Sequence, residues 1–158
     1  MQTSVKSQIE IHASPETVWG LLCDAKLPLT APCCFKIGVP TPERCTLVSE
    51  KGVVGAKRQC QTRQGIINQE ITEWLPPQRL SFNFESSTLG LEKHIASMSD
   101  TFVVVGTEHG SRLSRQTDFS TRGLLAVPKA ILFKISIWHI HRYVMRNFRV
   151  LAEERASL

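Results

Sequence analysis

The residues best placed to do chemistry in this chain are polar side chains that share a parity with bulky apolar ones along short alternating runs. In the run 79–86, Leu80, Phe82 and Phe84 alternate with Ser81, Asn83 and Glu85, so a sheet that buries the apolar set faces it inward as a group. Hairpin parity then sets Glu73, Ile71 and Gln69 opposite Leu80, Phe82 and Phe84, with Arg58 opposite Gln69 and Cys60 opposite Ile67. In the last hairpin it sets Phe102 opposite Arg115 and Asp100 opposite Thr117. Burying an unpaired charge costs several kcal/mol, so such groups pair with one another, reach water, or meet a polar ligand. The candidate ligand-binding set is Arg58, Gln69, Ile71, Phe82, Phe84, Asp100, Phe102, Arg115, Thr117, Ile137 and His141. Two roles fit it. Arg58, Asp100 and Arg115 form a structural salt-bridge network, or Arg58 or Arg115 anchors the carboxylate or hydroxyl of a ligand whose apolar body rests on the phenylalanines.

Catalysis is less well supported. An imidazole beside an inward carboxylate can act as a general base, which makes His141 worth weighing, but a helix histidine flanking an apolar arc is more commonly packed and hydrogen-bonded. Glu92, His94 and His109 fall at turns or strand ends. The sequence contains no GxSxG, CxxC, HExxH or glycine-rich phosphate loop, so no catalytic residue and no cofactor is assigned. The five cysteines, Cys23, Cys33, Cys34, Cys45 and Cys60, follow no disulfide framework. They read as free thiols of a cytoplasmic protein. Cys33, Cys34 and Cys45 share a loop that lacks both a CxxC pair and a histidine, so no metal site is expected.

The elements that must position these residues are legible in outline. Residues 5–12 alternate as a first strand; Ser14-Pro15-Glu16 then opens a helix, with Ser14 as cap and Pro15 in the first turn. Residues 24–45 hold four prolines and read as a long connection with one short helix. Strands follow at 46–49, 56–62, 66–74, 79–86, 95–105 and 111–119, separated by Gly and Pro turns. Residues 124–156 form one closing helix, whose arc of Ala130, Phe133, Ile137, Ile140, His141, Val144, Phe148 and Leu151 should face the sheet. Seven strands in hairpin order and two helical segments make an α+β domain, and 158 residues with 42% hydrophobic content suit one domain, 1–158.

The net charge of +5 is spread along the last helix rather than run together, and no nucleic-acid motif accompanies it. Met1 to Lys6 carry no apolar signal-peptide core, and the apolar stretch 124–138 is broken by Pro128, Lys129 and Lys134, which argues against a membrane span. Outside the inward arc, however, Ile131, Leu132, Ile135 and Trp138 leave the start of that helix apolar nearly all round. This suits a homodimer contact or a peripheral membrane contact.

Three segments carry a family resemblance: "IEIHASPETVWGLL" (residues 9–22), "ITEWLPPQRLSF" (71–82) and "SRLSRQTDF" (111–119), the last followed by Gly123 and the long helix. In order and spacing they resemble the START-like helix-grip superfamily, also called SRPBCC or polyketide cyclase/dehydrase-like. The resemblance implies a curved seven-stranded antiparallel sheet in the order strand, two helices, six strands, closing helix, wrapped around that helix to enclose an apolar cavity. The function it favours is binding or carriage of a hydrophobic or amphipathic small molecule, such as a lipid, isoprenoid or aromatic metabolite. The alternatives are an aromatase/cyclase- or dehydratase-like enzyme on a polyketide-type substrate, and a docking module that uses the last helix.

Overall fold

The computed structural model describes residues 2–49 and 51–158, with the side chains of Cys34 and Ile37 excepted. The chain opens with β1 (Gln2–Ile11), α1 (Pro15–Cys23) and a three-residue β2 (Asp24–Lys26), followed by a 3-10 turn (Cys33–Ile37) and β3 (Pro42–Leu47). Then come β4 (Lys57–Thr62), β5 (Ile66–Leu75), β6 (Arg79–Ser87), a short 3-10 turn (Leu91–Lys93), β7 (Ile95–Thr107), β8 (Gly110–Thr121) and α2 (Ala126–Ala156). All strands join one antiparallel sheet in the order β1-β8-β7-β6-β5-β4-β3-β2. The sheet curls around α2 in the helix-grip arrangement, with eight strands and two α-helices where seven and three were expected. The extra strand is β2, which leaves α1 directly and pairs its Ala25 with Cys45. The missing helix is the segment Cys33–Ile37, a single 3-10 turn that Gly38 ends at φ 98°. Flanking prolines at 28, 32, 40 and 42 deny this stretch the N–H groups that a longer α-helix needs.

α1 starts as its residues dictate. Ser14 Oγ accepts from the Thr17 backbone N–H at 3.3 Å, and Pro15 occupies the first turn. Val18, Trp19, Leu21 and Leu22 bury its inner face, and Trp19 meets Trp74 of β5 edge to face at 5.0 Å. Gly52 lies so close beneath Trp74 that a Cβ there would fall 2.1 Å from the indole.

On α2 the expected arc is largely the buried one. Ala130, Ile137, His141, Val144 and Phe148 are buried, while Phe133 is half-buried against Phe119 at 6.3 Å. The arc is also wider than expected. Tyr143 and Asn147 turn toward the connection between β2 and β3, where Asn147 Oδ1 accepts from Leu29 N–H and the Tyr143 hydroxyl donates to Leu29 O, both at 2.9 Å. Phe35, beside the Tyr143 ring at 5.3 Å, completes this clamp. No helix among the described residues is long and apolar enough to cross a membrane.

Candidate ligand-binding cavity

Between the concave sheet face and α2 lies a cavity of about 90 Å³. Its floor comes from Phe82 of β6 and Phe102 of β7, its roof from Ile137, Ile140, Val144 and Phe148 of α2. One end is made by Ala25, Leu27, Pro40 and Pro42 from the β2–β3 region. The polar groups on its wall are the ones that strand parity turns inward. Arg58 stands opposite Gln69, Asp100 opposite Thr117 and Arg115 opposite Phe102, and all five polar groups line the cavity.

Of the candidate set, Arg58, Gln69, Phe82, Asp100, Phe102, Arg115, Thr117 and Ile137 meet in this wall, and three members do not. Ile71 is fully buried in the core behind it, His141 is fully buried one layer away, and Phe84 is half-buried outside the lining. Glu73 is also displaced from its inward place. Leu75 rather than Trp74 pairs with Arg79, and a bulge between Ile71 and Glu73 restores the register only beyond that point. Glu73 therefore pairs with Ser81 and bonds Arg79 Nε at 2.7 Å on the outer surface.

The two arginines differ in what surrounds them. Arg115 forms a two-pronged ion pair with Asp100, Nε to Oδ1 at 3.0 Å and Nη2 to Oδ2 at 3.1 Å. Thr117 Oγ1 donates a further short hydrogen bond to Asp100 Oδ1. Burial alone pushes the Asp100 carboxyl upward, but the Arg115 charge, its hydrogen bonds and Thr117 outweigh this and hold it below the ordinary aspartate value. With its one hydroxyl proton spent on Asp100, Thr117 must accept from His141 Nε2–H at 2.7 Å. Burial, reinforced by the Arg115 charge, lowers the His141 pKa to about 3, so the ring is neutral and its Nδ1 accepts from Ser7 Oγ at 3.0 Å. His141 is therefore the Nε2–H tautomer. Asp100, Arg115, Thr117 and His141 are thus a satisfied buried network.

Arg58 has no such partner among the described residues. It is 3% exposed, and its Nη1 donates to Gln69 Oε1 at 2.7 Å and approaches Cys60 Sγ at 3.3 Å. Its guanidinium carbon sits 4.4 Å from the centre of the Phe82 ring. Its Nε is buried with no hydrogen-bond partner among the described residues. Burial, followed by repulsion from Arg115, lowers its pKa to about 10, so it stays a cation at neutral pH. Asp100, the carboxylate on the cavity wall, is already committed to Arg115.

Contrary to expectation, two of the five cysteines are not free thiols. Cys45 and Cys60 face each other across β3 and β4 with Cα atoms 4.1 Å apart, and a disulfide joins them beside Arg58. Their spacing in sequence carries no sign of this; the pairing of β3 with β4 creates it. Cys23 and Cys33 are free thiols, and burial pushes the Cys23 thiol up. Parity reasoning also missed the cavity end formed by Leu27, Pro40 and Pro42, and the Tyr143–Asn147 clamp behind it. The available signal was Asn147, a polar residue next to Phe148 at the margin of a largely apolar arc.

No curated protein sequence matches this chain. Among solved structures, it is similar to the Zhui aromatase/cyclase from a Streptomyces species, with a TM-score of 0.70 and 14% identity over 98% of this chain and 96% of that one. It is also similar to norcoclaurine synthase from Thalictrum flavum, with a TM-score of 0.63 and 14% identity over 98% of this chain and 88% of that one. A START superfamily protein from Mycobacterium smegmatis gives a TM-score of 0.62 and 12% identity over 99% and 97% of the two chains. At these identities the likeness establishes the fold. The sequence profile named "Polyketide cyclase / dehydrase and lipid transport" matches residues 2–135, well over half the length, and the chain belongs to that family.

Proposed function

We propose that the protein binds and carries an amphipathic small molecule, an apolar body of lipid, isoprenoid or aromatic type that ends in a carboxylate, with Arg58 as its anchor. The observation that carries this reading is the buried Arg58 guanidinium, whose Nε has no hydrogen-bond partner and which has no carboxylate in direct contact among the described residues. A carboxylate entering the cavity would supply the missing acceptor, while Phe82, Phe102 and Ile137 would cover the apolar body. Carriage is preferred over an aromatase/cyclase reaction because the cavity wall offers no free base among the described residues: Asp100 is occupied by Arg115 and Thr117, and His141 lies outside the lining with both ring nitrogens bonded.

The test compares decanoate with methyl decanoate by calorimetry on the parent protein and on Arg58→Leu. A charge-assisted hydrogen bond contributes roughly 1.5–3 kcal/mol, so Arg58→Leu should weaken the acid about ten- to hundredfold and the ester little. Equal weakening of both ligands, or no binding of either to the parent, would overturn the reading.

A further inference from the structure

Several basic residues of the sheet and its turns are compensated. Arg44, Lys57, Arg63, Arg79 and Arg112 each form an ion pair with a carboxylate. The stretch from Phe119 to Ala152 is different: it contains Arg122, Lys129, Lys134, Arg142, Arg146 and Arg149 and no acidic residue. Of these six, only Arg149 has an ion-pair partner among the described residues, Glu153 at 4.0 Å. Two shallow grooves flank the middle of α2. One is lined by Val5, Lys134, Ile135, Trp138 and His139, and the other includes Leu29, Pro32, Arg142 and Arg146; neither contains a carboxylate.

The same half of α2 exposes its apolar side chains. Val127, Ile131 and Ile135 recur at four-residue spacing, so they lie on one face of the helix; they are 60%, 59% and 53% exposed, with Leu132 at 65% and Trp138 at 42% beside them. At the helix entry Leu124 is 92% and Leu125 71% exposed, and Leu125 adopts a left-handed backbone at φ 67°. A left-handed leucine costs on the order of 1–2 kcal/mol, and here that conformation leaves two leucines in water instead of burying them. Arg142 stacks over the Trp138 ring at 4.7 Å, so the indole sits beside a cation at the rim of the apolar face.

We propose that the first half of α2, together with Leu124 and Leu125, is a docking face for an anionic lipid bilayer. An amphipathic helix lying in the membrane plane presents this pattern, with Leu, Ile and Trp entering the interface and Lys and Arg meeting the headgroups. Charge decides between a bilayer and a second copy of this chain. Two copies joined face to face would bring Lys129, Lys134 and Arg142 of both together with no acid between them, whereas the phosphates of an anionic bilayer compensate every one. The face goes beyond the cavity and its ligand, and it stands or falls without them. Since Ile137 and Ile140 of the same helix roof the cavity, docking sets that roof next to the lipid.

The test is co-sedimentation of the full chain with vesicles of phosphatidylcholine alone and of phosphatidylcholine with phosphatidylglycerol in equal parts. Binding is expected on the mixed vesicles, weaker by tenfold or more on the neutral ones, and largely lost at about 1 M salt, where the Debye length is about 3 Å. The double change Lys129→Glu with Lys134→Glu, and separately Ile131→Asp, should each reduce binding roughly tenfold or more with an unchanged unfolding midpoint. In the parent protein, phospholipid brominated on its acyl chains should quench part of the tryptophan emission, because Trp138 is exposed while Trp19 is buried. Failure to bind the mixed vesicles, or binding that ignores salt, charge reversal and headgroup, overturns the proposal. So does a dimer in light scattering that Ile131→Asp dissolves in the absence of vesicle binding, since that would assign the face to a second copy.

Discussion

Arg58 and Arg115 are the same side chain on the same cavity wall, and their neighbours make them energetic opposites. Removing Arg115 strands Asp100 as a buried, uncompensated carboxylate, so Arg115→Leu should lower the unfolding free energy by about 3–5 kcal/mol. Arg58 leaves no charge behind when it goes. Arg58→Met, similar in volume, should be neutral or stabilising. Urea unfolding of the two variants checks both expectations, and a large loss of stability for Arg58→Met would mean that its charge is compensated in the native state. His141 adds a pH dependence. The folded protein holds its pKa at about 3 against an ordinary 6.5, so between these values the unfolded chain binds a proton that the native state refuses. Stability from this residue is therefore complete above about pH 6.5 and falls as the pH drops toward 3, at up to roughly 1.4 kcal/mol per pH unit. Asp100, held below its ordinary value, adds its own loss only in the more acidic part of that range. Unfolding midpoints taken from pH 7 down to about 4.5 should show the decline, and His141→Gln should flatten it.

At the scale of elements, the edge of the sheet is held more firmly than its short strands imply. β2 has three residues and β3 six, yet the Cys45–Cys60 disulfide fastens β3 to β4, and Asn147 and Tyr143 of α2 bind the Leu29 backbone next to β2. Thiol titration of the protein, denatured without reductant, should count two fewer thiols than the five cysteines, and the full five after reduction. Finding five in both conditions would remove the disulfide. The count of strands and helices departs from the expectation in this same region, for a local reason, while the helix-grip arrangement holds. A proline-rich stretch after a capped helix has no periodicity to separate a helix from a 3-10 turn, and a three-residue strand exists only through its partner β3.

At the scale of the whole molecule, the cavity is small for the work proposed. About 90 Å³ falls below the roughly 300–1,000 Å³ of pockets that enclose drug-sized ligands. A ligand of that size must part α2 from the sheet or displace the β2–β3 connection, so its entry is coupled to a conformational step. Association of decanoate measured by stopped flow should therefore be slower than the roughly 10⁵–10⁷ M⁻¹s⁻¹ common for protein partners that dock without rearrangement. Ile140→Ala, which trims the α2 roof, should speed it. Association near the diffusion limit in the parent protein would show that the cavity is already open.

What the sequence determined by itself was whatever depends on period and parity. The alternation of Leu80, Phe82 and Phe84 orients one strand, and each hairpin passes that orientation to the next. Arg58, Gln69, Asp100 and Thr117 therefore came out on the inner face, opposite the partners that the ladder gives them. The periodicity of α2 similarly identified Ile137, Val144 and Phe148 as its inward side. Tertiary structure decided everything that depends on distance between residues far apart in the chain. It decided that Asp100 is committed to Arg115 and not to Arg58, that burial beside Arg115 leaves His141 neutral between Thr117 and Ser7, and that Cys45 meets Cys60. Parity says which way a side chain points, but the state of a buried charge is set by which neighbour lies within about 3 Å of it. That falls off too steeply with distance to be read from spacing along the chain.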